Sequence, residues 1–197
     1  GASFQQIPQL TLSTAAQLRF AGGVFDVFNT PQQVISALAG DPLPGALGLL
    51  PGSLGEKRPW IRMDGISIDV DEALLVDAPD GLIDVSNSRL SVSDASRNGG
   101  TLTLTGNDLS IDGKSQLLAK GADGGGLIQV GGSWQNSDPS VRQAKTVSVN
   151  AGAVMDASAT LRGDGGEIVV WSDVSATDSI TDVAGTFLAL AGRQGGD

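Results

Sequence analysis

Cysteine, histidine and tyrosine are absent from this 197-residue chain. Without histidine no Ser-His-Asp triad can be built. Without cysteine there is no thiol nucleophile, disulfide, thiolate zinc site or iron–sulfur cluster. Aromatic residues make up only 4% and charged residues 17%. Chemistry is left to carboxylates, a few Lys and Arg, hydroxyls and the backbone. Long apolar runs are missing too. The longest leucine-rich uncharged stretch, Pro42–Gly55, is short and broken by Pro and Gly, so no transmembrane span is expected. No signal peptide is visible and the chain opens on Gly1, which reads as a processed or excised segment.

Positive charge is scarce as well. Twelve Lys and Arg stand against 22 Asp and Glu, a net charge of −10. Nucleic-acid affinity comes mainly from neutralising phosphates, so no nucleic-acid partner is expected. An anionic membrane surface is disfavoured on the same ground. The balance suits a soluble extracellular protein, or one that binds cations.

Glycine is what the chain has in abundance: 28 residues, roughly twice ordinary usage. Composition divides the chain at residue 59. Residues 1–59 contain short apolar runs, then a segment holding five of the eight prolines. Thr30 as N-cap, Pro31 at the first helical position and Gly40 at the end predict a short helix with Val34, Ile35 and Leu38 on one face. Leu43, Leu47, Leu49, Leu50 and Leu54 follow in a Pro/Gly-rich loop. Contiguous apolar area of that kind is costly to expose, so helix and loop are expected as a flap over the body, or as an interface.

From residue 60 to 197 the chain reads as β-structure punctuated by Gly, Asp, Asn and Ser. Gly-Gly pairs at Gly99-Gly100, Gly125-Gly126 and Gly165-Gly166 each lead directly into an extended run, and a fourth, Gly195-Gly196, stands at the end. Their spacings are 26, 40 and 30 residues, and the longest interval contains an insert at 133–145. Short strands and glycine turns at such a period predict a β-solenoid, an all-β chain of about four to five coils. Inward side chains of successive coils meet at the strand spacing of ~4.8 Å, which favours Val, Ile, Leu and Ala over aromatics. Glycine is expected at the corners, where it supplies positive φ.

Several blocks in order resemble the large secreted adhesins of the filamentous-haemagglutinin type. They are Gly124-Gly-Gly-Leu-Ile-Gln-Val-Gly-Gly-Ser-Trp134-Gln, then the insert, then Thr146-Val-Ser-Val-Asn-Ala-Gly-Ala-Val-Met-Asp156-Ala. Arg162-Gly-Asp-Gly-Gly-Glu-Ile-Val-Val-Trp171-Ser-Asp173 follows, then Gly185-Thr-Phe-Leu-Ala-Leu-Ala-Gly192 and Gly195-Gly-Asp197. The resemblance covers about Gly99–Asp197, half the chain. It implies a right-handed parallel β-helix, passage through an outer-membrane partner pore, and adhesive or fibre-forming use at a Gram-negative cell surface. The first 60 residues carry no Asn-Pro-Asn-Gly motif of the family's secretion domain. The sequence stops inside the repeat motif, which again reads as a piece of a longer protein.

Three constellations are candidates for binding. Asp69 and Asp71, two apart, share a face of a strand and are hard oxygen ligands suited to calcium; the alternative is a solvated face. Trp134 opens the insert and is the best single candidate for a ligand contact, since inserts on solenoids form binding faces; the alternative is an anchor onto the body. Arg162-Gly163-Asp164 is an integrin-type receptor tripeptide that overlaps a turn the repeat requires. No cofactor is required. Paired carboxylates could cleave polysaccharides, but no Asp pair with Lys or Arg on neighbouring strands is evident. The reading is therefore a non-catalytic adhesive or structural β-helix. A self-assembling filament subunit and a polysaccharide-active β-helix are the alternatives. Expected partners are other copies or flanking fibre segments end to end, with a glycan or host-surface receptor.

Overall fold

The computed structural model describes residues 3–13, 24–28 and 60–193, with side chains from 61 onward except Asp80. The helix expected after Thr30, the leucine-rich flap and the last Gly-Gly pair lie outside the described residues, as does the Trp60 side chain.

The described residues form a parallel β-helix with three sheets. The first sheet runs through the middle of β4 (Ser67–Ser86) to β6 (Thr101–Ile111), β8 (Leu127–Val130) and β11 (Glu167–Val170), and β1 (Ser3–Ser13) lies along β4 from Ser67 to Asp77. The second runs from β3 (Trp60–Asp64) through the ends of β4 and β6 to β9 (Thr146–Val149) and β12 (Ile180–Val183). The third joins the start of β4 to β5 (Arg89–Ser91), β7 (Gln116–Leu118), β10 (Val154–Asp156) and β13 (Thr186–Leu188). All these pairings are parallel. The exception among the described residues is β2 (Val24–Phe28), which lies antiparallel along β3.

Register explains the sequence period. The first sheet advances 26 residues from β6 to β8, whereas the second advances 38 from β6 to β9. The extra length enters between β8 and β9, so the loop projects at the corner between those sheets. Each strand sends alternate residues inward, and partners in register form columns. One column is Ile68, Leu90, Leu117, Met155 and Phe187. Another is Ile61, Ile83, Leu109 and Val147. A third is Leu74, Leu102, Ile128 and Ile168. Buried members of these columns belong to one apolar core. No coil could bury this surface alone, so stability comes from the stack.

Glycine supplies positive φ at turns, as expected, and the strand-leading Gly-Gly pairs serve a second purpose. Among the described residues positive φ occurs at Gly65, Gly131, Gly132, Gly152 and Gly163, not at Gly99-Gly100, Gly125-Gly126 or Gly165-Gly166. The pairs sit where coils touch backbone to backbone. A Cβ on Gly125 would lie 1.7 Å from the Ala157 carbonyl oxygen, and one on Gly166 would lie 1.9 Å from that of Gly126. Close approach selects glycine there. The corner before the third sheet is held by a serine ladder. Ser88 Oγ accepts from Ile66 N (3.2 Å), and Ser115 Oγ accepts from Ser88 N (3.3 Å).

Candidate functional site

The outer face of the first sheet carries Asp77, Thr103, Thr105 and Gln129 at outward positions on three successive coils. The insert folds back across this face. Its base is closed by Ala144 N donating to Gly131 O (2.7 Å), and its tip by Asp138 N donating to Ser133 Oγ (3.1 Å). Positive φ at Gly131, Gln135 and Asn136 supplies the reversal. The result is a groove of about 290 Å³, floored by β4, β6 and β8 and walled by Asp138, Ser140 and Arg142.

Floor and wall are tied together. Thr105 Oγ1 donates to Asp77 Oδ1 (2.9 Å), and Arg142 Nε lies 3.5 Å from the same oxygen. Thr103 Oγ1 donates to Gln129 Oε1 (3.3 Å). Thr103 and Thr105 are only 7% and 3% exposed although they point away from the core, so this outer face is covered. Val169, an outward residue of β11 in register with Gln129, is buried as well, which accounts for the unbroken Ile168-Val169-Val170 run. The carboxyl of Asp138 is held below its usual range by the Ser140 hydroxyl and then the Ser140 backbone N–H.

The sequence candidates fall in three different places. Trp134 begins a short 3-10 turn, is 54% exposed, and packs on Trp171 with ring centroids 5.3 Å apart and planes at 58°. It is not among the residues that line the groove. Asp69 and Asp71 flank the buried Val70, and Asp69 Oδ2 lies 3.7 Å from Arg89 Nη1. Among the described residues no three His, Cys, Asp or Glu side chains converge as a metal-holding group. Arg162-Gly163-Asp164 is a turn stacked on the preceding coil. Arg162 N donates to Ala122 O (2.9 Å), Gly125 N donates to Asp164 O (2.9 Å), and Arg162 Nη2 pairs with Asp123 Oδ1 at 2.8 Å.

Two arrangements escaped the sequence reading. The groove had a signal in the alternation Thr101, Thr103, Thr105, with Arg142 as a cation within the insert. The other is on the second sheet, where Arg62 and Asp84 are register partners on the outer face and each is 5% exposed. Arg62 Nη2 pairs with Asp64 Oδ2 at 2.6 Å. Burial pushes the Asp84 carboxyl up to about 6, with Arg62 opposing and the charges of Asp112 and Asp64 adding to the rise.

No protein-family model matches the sequence, and no curated protein matches it. Among solved structures, the crystal structure of the HMW1 secretion domain from Haemophilus influenzae is similar over 66% of this chain and 47% of that one, at 17% identity and a TM-score of 0.37. The chain thus spans about half the length of that domain.

Proposed function

We propose that this chain is a non-catalytic, structural and adhesive β-helical segment of a secreted or cell-surface fibre protein of the filamentous-haemagglutinin type. Export through an outer-membrane pore and a Gram-negative cell surface belong to the same reading. The observation that carries it is the in-register stack: three parallel sheets and continuous apolar columns run through successive coils. Such a stack is a stiff element whose corners can bear inserts without disturbing its interior. The ordered motif blocks from Gly124 to Gly192 support the family assignment. The test is protease shaving with immunogold labelling of intact producing cells. Labelled, shaveable material in surface fibres is the expected result; protein confined to the cell interior would overturn the reading.

A second reading, a self-assembling filament subunit, is favoured by one feature. Among the described residues, the far sides of β11, β12 and β13 pair with no strand, and Ile180, Val183, Phe187 and Leu190 are exposed there. Unpaired strand edges are templates for joining. End-to-end growth with rising concentration would support this reading, and a monodisperse monomer throughout would refute it.

A further inference from the structure

We propose that the groove between the first sheet and the insert is a binding site for a neutral saccharide unit. A stiff rod needs no ligand, so this site goes beyond the structural role and stands or falls separately. The groove is built before any ligand arrives. Its floor spans three coils, and the floor hydroxyls are fixed: Thr105 on Asp77 and Thr103 on Gln129. Polar groups that are already fixed lose little further freedom on binding, which removes the side-chain ordering part of the cost.

The chemistry selects the class of ligand. The groove offers the Thr103 and Thr105 hydroxyls as acceptors, their protons being held by Gln129 and Asp77, together with the Gln129 amide N–H groups, carboxylate acceptors at Asp77 and Asp138, and the Arg142 guanidinium. Leu75, 36% exposed, adds an apolar patch of the kind the C–H face of a sugar ring covers. Alternating donors and acceptors around a small apolar patch suit a polyol ring better than a hydrophobic ligand. Two carboxylates against one guanidinium oppose sulfated or uronate sugars, because an anion would meet net negative charge. At about 290 Å³ the groove lies at the lower end of small-ligand sites, with room for one or two sugar rings.

The experiment is an NMR titration of the labelled full chain with cellobiose, lactose and N,N′-diacetylchitobiose, with heparin as the anionic probe. At least one disaccharide is expected to give saturable shifts at Thr103, Gln129 and Arg142, with an affinity on the order of millimolar. Arg142→Ala and Thr103→Val are each expected to weaken it about tenfold. Trp134→Ala is expected to leave it unchanged. Arg142 sits on the insert, outside the coil interior, so its variant decides the matter if Thr103→Val does not fold. No saturable shift with any of the three sugars, shifts centred on Trp134 and Trp171, or preferential saturation by heparin would each overturn the proposal.

Discussion

Asp84 is the residue whose surroundings most oppose its charge. Its pKa is raised to about 6 by burial, against an unfolded value near 4. Between those values the folded chain holds a proton that the unfolded chain has released. The contribution of Asp84 to stability therefore falls as pH rises from about 4 to 6 and is flat above that. Asp84→Asn is expected to stabilise the protein at pH 7 by on the order of 2–3 kcal/mol and to change little at pH 4. Arg62 keeps its partner Asp64 in that variant. Thermal melts at the two pH values check this, and a destabilised variant at pH 7 would show that Arg62 depends on Asp84. Gly125 gives a second residue-scale expectation. A methyl group there would overlap the Ala157 carbonyl, so Gly125→Ala is expected to cost on the order of 3 kcal/mol in denaturant melts, with strand pairing disturbed between coils. The glycine pairs were legible in the sequence; their physical role was not, because a sequence shows small residues without showing which backbones touch. Asp84 was illegible for a related reason. An outward strand position reads as solvated unless something covers the face.

The strands were the most legible elements. Leu102 and Leu104 alternate with threonine, and Val147 and Val149 alternate with polar residues; the structure buries all four. Alternation works here because each strand has one face on the core. The division of each coil among three sheets was not legible, since β4 and β6 run through corners without a break in their β character. The antiparallel β2 was also unforeseen: Val24–Phe28 carries no mark of strand direction. The groove needed three coils and the insert together, so no local pattern revealed it. Column position sets the cost of truncation. Leu117 is fully buried between Leu90 and Met155, and Leu117→Ala is expected to cost about 2–5 kcal/mol. Phe187 ends the same column and is 38% exposed, so Phe187→Ala is expected to cost clearly less. Equal losses in urea unfolding would mean that the columns are not the units of stability.

For the whole molecule, the claim is that coils are mechanical units joined only to their neighbours. The claim has a length scale. Coils separated by 26 residues in register release about 9 nm of chain when peeled, and the interval of 40 residues between β8 and β11 releases about 14 nm. The insert changes the length released without changing the sheet pairs that resist force. The most direct test is single-molecule force spectroscopy, pulling the chain by its two ends. Successive force peaks separated by increments near those two lengths are the result this account predicts. Smooth extension without resolvable peaks would contradict it, because a stack that bears no load cannot serve as the shaft of a fibre.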